Sequence, residues 1–193
     1  GTFIELGGYD GLTYSNTKFF EDSLQFTGIL IEPSENYQKM IKNRPNCNNL
    51  NLAVSNSLEP VKFIGKGADA GISEHMSDKM KTACHSSQEE YFVQCEPLSK
   101  IINDNQIKYI DILSIDVEGG EHLVLESMDW TIPVYVVCIE LDGNLPEKDT
   151  QCRNMLSENG FTLYARVCIN EFWVNENYFR KDILWNNENV INH

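Results

Sequence analysis

Short apolar runs alternate with amphipathic segments along this chain. The clearest run, residues 110–117, consists mostly of branched apolar side chains, which is typical of a strand buried on both faces of a parallel sheet. A helical pattern follows it, with Val124, Leu125 and Met128 at three- and four-residue spacing. Residues 134–141 form a second run of the strand type. This alternation predicts an α/β fold with a mostly parallel sheet.

A strand, a glycine-rich turn, a helix and a second strand are predicted at the start of the chain. The turn follows Leu6 and carries Gly7, Gly8 and Gly11, which let the backbone turn sharply and approach a ligand closely. The second strand ends at Glu32, roughly 25 residues after the first glycine of the turn. In nucleotide-binding α/β folds an acid at this point accepts hydrogen bonds from ribose hydroxyls. The pattern therefore predicts an adenosine-binding unit.

The helix of this unit is predicted to be amphipathic. Phe19, Phe20 and Leu24 fall on one side at helical spacing. Ser15 precedes them and is a candidate cap for the helix, because its hydroxyl can accept a hydrogen bond from a free backbone N–H. We expect the aromatic side to face the core.

The middle of the chain contributes a third strand and an insertion. The strand is predicted at residues 51–54. An adenine ring would lie at the end of this strand, so Ala53 and Val54 are candidate contacts for the ring. Both residues are explained equally well as ordinary core positions. Residues 61–71 suggest an edge strand and a turn. Residues 73–90 are polar and are predicted to cover a pocket or to meet a substrate. Two histidines of this insertion are expected on the surface: His75 and His85.

The charges around the glycine turn distinguish among adenosine cofactors. Nicotinamide and flavin folds use G-x-G-x-x-G and bind a pyrophosphate at a helix N-terminus. Here the glycines follow G-G-x-x-G, and carboxylates rather than lysines flank the turn. Such acids repel a pyrophosphate but suit an ammonium and a sulfonium, so the residues favour S-adenosylmethionine over a turn that merely needs glycines. The predicted cofactor-binding residues are Glu5, Gly7, Gly8, Asp10, Gly11, Glu32, Ala53, Val54 and Asp116.

Composition narrows the class of protein. With 193 residues, 41% of them hydrophobic, we expect a single domain over residues 1–193, alone or as part of a longer chain. The net charge of −14 repels phosphate backbones, so nucleic acid is not the favoured partner. No apolar run reaches the ~20 residues that cross a bilayer, and no membrane partner is expected. Six cysteines without a CxxC pair suggest reduced thiols and a cytoplasmic location, while the oligomeric state stays open.

Acidic residues follow both apolar strands of the second half. Asp116 and Glu118 end the first of them, just before a glycine pair that opens a helix. Glu140 and Asp142 end the second. Ligands of open α/β sheets bind outside the carboxyl ends of the strands, so we expect chemistry at these acids. Glu121 is instead predicted to interact with the positive end of its own helix.

Several segments together resemble the FkbM family of S-adenosylmethionine-dependent methyltransferases. They occur in the family's order over nearly the whole chain: FIELGGYDG, GILIEPSENY, NLAVSN, DILSIDVEGGEHLVL and CIEL. The most specific is I-D-V-E-G-x-E at residues 115–121, whereas Ser114 stands where the family frequently has Lys. The resemblance implies a Rossmann-like class I methyltransferase fold, with a mostly parallel seven-stranded sheet and a C-terminal antiparallel hairpin. It also implies methyl transfer to a hydroxyl of a sugar or other small molecule.

An alcohol is a weak nucleophile near neutral pH, so a base or a metal must assist such a transfer. We predict Asp116 as an organiser on the cofactor side and Glu118 or His122 as the base on the acceptor side. His122 is alternatively an exposed partner for the carboxylate four residues before it. A divalent cation held by Glu140 and Asp142 is a further alternative, but no metal site is predicted.

The sequence thus predicts an S-adenosylmethionine-dependent O-methyltransferase that acts on a hydroxyl of a sugar, a glycan or another small molecule. Two alternatives remain. An RNA ribose 2'-O-methyltransferase would need a basic track and commonly a lysine near the reacting hydroxyl, against which the acidic balance and Ser114 argue. A non-catalytic methyltransferase-like binding module would not need the acids that the chain retains at positions 5, 32, 116 and 118.

Overall fold

The computed structural model describes residues 1–65, 70–83 and 90–178. The strands in these ranges are β1 Thr2–Leu6, β2 Thr27–Ile31, β3 Asn48–Leu50, β4 Ala53–Val54, β5 Val61–Ile64, β6 Gly71–Ile72, β7 Glu90–Val93, β8 Cys95–Glu96, β9 Ile110–Ile115, β10 Val134–Glu140, β11 Phe161–Val167 and β12 Asn170–Asn175. The helices are α1 Lys18–Leu24, α2 Tyr37–Asn43, α3 Asp78–Ala83, α4 Leu98–Asp104, α5 Glu121–Glu126 and α6 Pro146–Glu158. None of the described helices has the length and apolar character to span a bilayer.

A seven-stranded sheet in the order β11-β12-β10-β9-β1-β2-β3 forms the centre of the fold. β1 pairs in parallel with β2 on one side and with β9 on the other, and β10 continues the parallel set beyond β9. β12 runs antiparallel to both β10 and β11. The predicted mostly parallel sheet with a C-terminal antiparallel hairpin is confirmed. The strand order reverses between β1 and β9, which is where open α/β sheets bind ligands.

The central strands are buried on both faces, which explains their continuous apolar sequences. Phe3 packs with Leu30 and Met40 on one face of the sheet. Ile4, the next residue, belongs to the large core on the other face, with Leu113. These side chains are fully buried, and each contributes about 1.5–3 kcal/mol relative to an exposed position. The core therefore fixes the positions of the strand ends that carry the polar residues.

The third strand is displaced from its predicted position. β3 ends at Leu50 and pairs with β2, so the strand predicted at residues 51–54 is confirmed only for Ala53–Val54, which form β4. The side chain of Asn51 donates a 2.7 Å hydrogen bond to the carbonyl oxygen of Glu32, in place of a further backbone bond at the end of β2. β4 then pairs with β8 in a separate two-stranded sheet.

Helix α1 does not bury its aromatic side. Phe19 is 64% exposed and Leu24 is 52% exposed, so the predicted apolar contact with the core is wrong. The helix is held instead by Glu21, which forms an ion pair with the fully buried Arg44. The N-cap residue of the helix is Thr17 rather than the predicted Ser15, although the Ser15 hydroxyl accepts a 3.1 Å hydrogen bond from the Lys18 N–H.

The insertion after β4 forms a small antiparallel sheet in the order β6-β5-β7. β5 is the central strand of this sheet rather than the predicted edge strand. Phe63, Ile72 and Val93 pack with Ala53 and so tie the insertion to β4. His85 lies outside the described residues. The cysteines of the described ranges, which are Cys47, Cys95, Cys138, Cys152 and Cys168, are free thiols.

Candidate active site

A cavity of about 690 Å³ opens at the carboxyl ends of the central strands, within the ~300–1,000 Å³ typical of small-molecule sites. Each of four neighbouring strands contributes to its wall. Gly7 follows β1, Glu32 follows β2, Asp116 follows β9, and Glu140 ends β10. The cavity therefore lies at the point where the strand order reverses.

The glycine turn crosses between the ends of two strands. Gly7 has φ +78°, and a Cβ atom there would lie 1.7 Å from the carbonyl oxygen of Asp116. The backbone N–H groups of Gly7 and Gly8 both donate to the carbonyl oxygen of Ile31, at 3.0 Å. Only glycine combines this backbone conformation with this close approach. Its missing side chain leaves the cavity open beside Asp116.

Glu5 orders the segment that follows the glycine turn. Its carboxylate accepts hydrogen bonds from the Ser15 hydroxyl at 2.9 Å, the Asn16 N–H at 2.8 Å and the Thr17 hydroxyl at 2.5 Å. The guanidinium of Arg44 lies 3.8 Å away and donates to the same two hydroxyls. Burial raises the pKa of Glu5, and these partners oppose the shift. Glu5 lines the cavity, but the protein already satisfies much of its carboxylate.

Glu32 stands at the end of β2 with 5% of its surface exposed. One carboxylate oxygen accepts the Tyr9 N–H at 2.7 Å, and the other accepts the Ser34 N–H at 2.8 Å. The Ser34 hydroxyl is a third donor, so acceptor capacity remains on a carboxylate that has about four acceptor sites. Burial raises the pKa of Glu32, while these hydrogen bonds favour its ionised form. The carboxylate is thus held by the glycine turn and can accept hydroxyl donors in the cavity.

The donor set of the cavity fits a cationic adenosine cofactor better than a pyrophosphate. Among the described residues, no Lys or Arg lines the cavity. Its wall contains five acids: Glu5, Glu32, Asp116, Glu118 and Glu140. Such a wall attracts a sulfonium or an ammonium and repels phosphates. The residues present therefore fit S-adenosylmethionine. Of the two acids beside the turn that led to this cofactor in the sequence, Glu5 belongs to the wall and Asp10 does not.

An apolar wall lies beyond Glu32. Ala53 and Val54 are buried and line the cavity, and Phe63 and Ile72 of the small sheet line it with them. A flat apolar ring can pack against such a surface. The small sheet and its turn thus cover part of the cavity with Phe63, Ala70 and Ile72, whereas none of the described residues of the segment 73–90, which was predicted to cover a pocket, lines it.

Asp116 and Glu140 lie side by side in the wall of the cavity, because the residues before them, Ile115 of β9 and Ile139 of β10, are paired in parallel. Burial, followed by the charge of Asp116, raises the pKa of Glu140 to about 9. Burial also raises the pKa of Asp116. Two carboxyl groups placed in this way disfavour each other's ionisation. No group of three or more His, Cys, Asp or Glu side chains in the described ranges is arranged to hold a metal ion.

The loop after β9 has an unusual backbone. Glu118 lines the cavity and has φ +55°, which is uncommon for a residue with a side chain, and Gly119 follows with φ +95°. A non-glycine residue held in this region costs of order 1–3 kcal/mol and is concentrated at functional sites. Tyr9 and Tyr14 share both features, with φ +46° and +61° and a place in the wall of the cavity.

His122 is separated from these groups. It is not among the residues that line the cavity, and only 7% of its surface is exposed, so an exposed partner for Glu118 is the wrong description. Its ring lies 5.2 Å from the ring of His75, which is half-buried rather than on the surface as expected. Burial, reinforced by the charge of Lys148, lowers the pKa of His122 to about 4. The predicted role as acceptor-side base therefore gains no geometric support.

Glu121 supports the loop rather than the cavity. The same oxygen of its buried carboxylate accepts hydrogen bonds from the Val117 N–H at 3.2 Å and the Gly119 N–H at 3.1 Å. It therefore acts at the start of its own helix, close to its predicted role. Burial raises its pKa to about 7. From the other side, the ammonium of Lys148 donates to the Gly119 carbonyl at 3.3 Å.

Three of the predicted cofactor residues lie outside the wall of the cavity. Asp10 accepts hydrogen bonds from the N–H groups of Leu12 at 2.9 Å and Thr13 at 2.7 Å, and so caps its own turn. A Cβ atom on Gly8 would lie 2.6 Å from the sulfur of Met40, and one on Gly11 would lie 2.8 Å from Arg44. The two glycines thus allow the turn to pack on α2.

Sequence reasoning did not single out some residues of the wall. Asn170 reaches the cavity from the turn of the C-terminal hairpin, and Tyr14 reaches it from the segment after the glycine turn. Asn16 does so as well, and its amide donates to the buried Ser114 hydroxyl at 3.1 Å. The sequence does show polar residues in the loops at the carboxyl edge of the sheet. It does not show which of these loops point into the cavity.

A comparison with protein families identifies a match for this chain. The profile of the family described as the methyltransferase FkbM domain matches residues 5–163. The matched range extends from β1 into β11 and includes the glycine turn and all five acids of the cavity wall. No curated protein matches the chain significantly.

Proposed function

The chain belongs to the FkbM methyltransferase family, and we propose that it is an S-adenosylmethionine-dependent O-methyltransferase acting on a hydroxyl of a sugar, a glycan or another small molecule. The observation that carries this proposal is the composition of the cavity wall, which combines five acids with no Lys or Arg among the described residues. It surrounds the point where β1 and β9 separate, the usual position of a cofactor in such sheets.

Residues on both sides of the glycine turn would hold the cofactor. Glu32 has acceptor capacity left for a ribose hydroxyl, Gly7 allows the ends of β1 and β9 to lie close together, and the walls at Ala53 and Val54 suit an adenine ring. When bound, the cofactor supplies a methyl group that is already electrophilic because it is attached to a sulfonium. The chain must therefore position an acceptor oxygen and accept its proton.

The carboxyl groups after β9 and β10 suit an uncharged acceptor. Asp116, Glu118 and Glu140 would repel a phosphorylated sugar or a nucleic acid, but they can accept hydrogen bonds from hydroxyl groups. A neutral polyol presents several such donors at once. Sugars are therefore the acceptor class that we favour, and Asp116 and Glu118 are the side chains that we propose to contact the reacting hydroxyl.

Two assays test the proposal. In titration calorimetry, the folded chain is expected to bind S-adenosylhomocysteine but not NAD⁺ or ATP, because the acidic wall repels their phosphates. In the second assay, tritiated S-adenosylmethionine is incubated with a panel of methyl glycosides, and the organic products are separated to detect a new methyl ether. A folded chain that binds no S-adenosylhomocysteine at millimolar concentration would refute the proposal.

A further inference from the structure

Resting on this proposed function, we propose that Asp116 and Glu140 act as a single proton-accepting pair, in which Asp116 takes the hydroxyl proton of the acceptor and Glu140 positions Asp116. The two residues come from neighbouring parallel strands. Ile115 of β9 is paired with Ile139 of β10, so Asp116, which follows β9, lies beside Glu140, the last residue of β10. Both side chains line the same cavity.

The contact between the two carboxyl groups requires a proton. Two ionised carboxylates offer only acceptors, so a hydrogen bond between Asp116 and Glu140 exists only when one of them carries the proton. The pair then has a donor and a single negative charge. This arrangement fixes the orientation of the ionised partner, because its second oxygen remains directed away from the shared hydrogen.

Charged neighbours on every side maintain this state. Four acids surround the pair: Glu118 on the loop after β9, Glu121 on α5, Asp142 on the loop after β10 and Glu5 on β1. Helix α6 contributes Lys148 and Asp149, which line a second, small cavity together with Glu140. Negative charge predominates, and it disfavours a second ionisation. Burial acts in the same direction and raises the pKa of Glu140 to about 9.

The charges and protons of the methyl transfer balance with this pair. The acceptor oxygen bonds to the methyl carbon while the carbon–sulfur bond breaks, and the electron pair of that bond remains on sulfur. Asp116 takes the hydroxyl proton. The pair changes from one proton to two, so its negative charge disappears together with the positive charge of the sulfonium. Glu140 stays protonated throughout and keeps the accepting oxygen in place. The proton passes to solvent after the product leaves.

Glu118 is the other acid that could serve as base, and its surroundings differ. It follows Asp116 by two residues on a backbone of positive φ, and its neighbour Gly119 is fixed by Glu121 and Lys148. Its charge acts on Glu140. We therefore assign the proton transfer to Asp116, while Glu118 contacts the acceptor and its charge helps to keep the pair singly protonated.

The decisive experiment is a titration of the side-chain carboxyl groups by carbon-13 NMR on the full chain. Spectra of wild type, D116N and E140Q are compared, with E158Q as the matched control because Glu158 is exposed on α6. One carboxyl signal is expected to titrate near pH 9 in wild type and E158Q, to be absent in E140Q, and to move to lower pH in D116N. Separate titration of both residues below pH 6 in wild type overturns the pair.

Kinetic measurements on a methyl glycoside that the wild type methylates provide the second readout. D116N is expected to lose about 10²–10⁴-fold in kcat, the usual contribution of a general base. E140A is expected to lose on the order of tenfold, with a shifted pH profile, and E140Q should restore most of the rate because its amide can donate to Asp116. Equal rates in E140A and wild type would remove the positioning role.

Binding of S-adenosylhomocysteine separates this inference from the proposed function. A wild type that binds the ligand while its two carboxyl groups titrate independently refutes the pair alone. A wild type that fails to bind the ligand refutes the methyltransferase proposal, whatever the titration shows.

Discussion

Glu5 and Asp116 both occupy the carboxyl end of a central strand and line the same cavity, yet their surroundings differ. The glycine-turn side, formed by Glu5, Gly7, Glu32 and Arg44, supplies each of its carboxylates with backbone N–H or hydroxyl donors and contains a buried cation. The carboxyl-pair side, formed by Asp116, Glu118 and Glu140, places acids against one another.

The difference separates binding from reactivity. A carboxylate with donors on several sides is fixed in place, and those donors favour its ionised form although burial raises its pKa, which suits the recognition of a ribose. A carboxyl pair placed among other acids has its pKa raised by burial and by its neighbours' charges, which suits proton transfer near neutral pH. The stability of the glycine-turn side holds the strained and charged loop after β9 in place, since Gly7 contacts the backbone of Asp116 directly.

The largest effect on stability is expected at Arg44. Arg44→Met leaves Glu5 and Glu21 as buried or partly buried acids without their cation, and breaking a buried pair in this way typically costs about 3–5 kcal/mol of unfolding free energy. Urea unfolding measures the loss. Arg166→Met is the matched control, because Arg166 also pairs with an acid but is 59% exposed, and it should lose less than about 1 kcal/mol. Equal losses would show that the buried network is not the anchor of this side.

The next effect is expected at the contact between the two sides. Gly7→Ala places a Cβ atom 1.7 Å from the carbonyl oxygen of Asp116 and strains a backbone of φ +78°, so the two strand ends must move apart. We expect a loss of about 1–3 kcal/mol in stability together with weaker binding of S-adenosylhomocysteine.

Gly143→Ala is the control for Gly7→Ala. Gly143 has nearly the same φ, +80°, but no atom of the described residues lies within 4 Å of the place that a Cβ would take there. It should show only the backbone part of the penalty, about 1 kcal/mol, with unchanged ligand affinity. If both variants lose the same stability and neither loses affinity, the close approach of Gly7 to Asp116 has no role in binding.

A smaller effect, on affinity alone, is expected at Glu32. Glu32→Gln keeps the shape of the side chain but removes its charge and one acceptor oxygen, which should weaken S-adenosylhomocysteine binding by about 1–3 kcal/mol. Titration calorimetry gives the difference. Glu35→Gln, three residues along on an exposed position, should leave the affinity unchanged. Unchanged affinity in Glu32→Gln would place the ribose elsewhere.

The last effect is a pH dependence of stability at Glu121, which supports the loop next to the carboxyl-pair side. Burial raises the pKa of Glu121 from its ordinary 4.5 to about 7, so its stabilising contribution is complete below pH 4.5 and is lost as the pH rises through 7. Glu121→Gln keeps the oxygen that accepts the two N–H groups of the loop but cannot ionise. The melting temperature of the variant should rise relative to wild type between these pH values. A constant difference would show that Glu121 titrates normally.

The two sides also differ in how well the sequence predicted them. The continuous apolar runs of β9 and β10 and the glycine turn follow from local patterns, because strands buried on both faces and turns of positive φ each restrict the residue types. Glu32 was found by its distance from Gly7 along the chain. These features require only neighbours in sequence.

The remaining features depend on contacts between distant segments. Hydrophobic spacing cannot show that Phe19 faces solvent while Arg44 is buried, because the choice depends on the acids that surround that arginine. The hydrogen bond between Asp116 and Glu140 depends on the register of β9 and β10. His122 was assigned to the wrong environment for the same reason, since its position on α5 does not reveal that His75 covers it.

A crystal structure of the complex with S-adenosylhomocysteine tests the central claim most directly. We expect the ribose hydroxyls on Glu32, the adenine ring against Ala53 and Val54, and the sulfur on the side of the cavity that holds Asp116. A ligand bound outside this cavity, or one whose ribose lies away from Glu32 while its sulfur faces away from Asp116, would contradict the account.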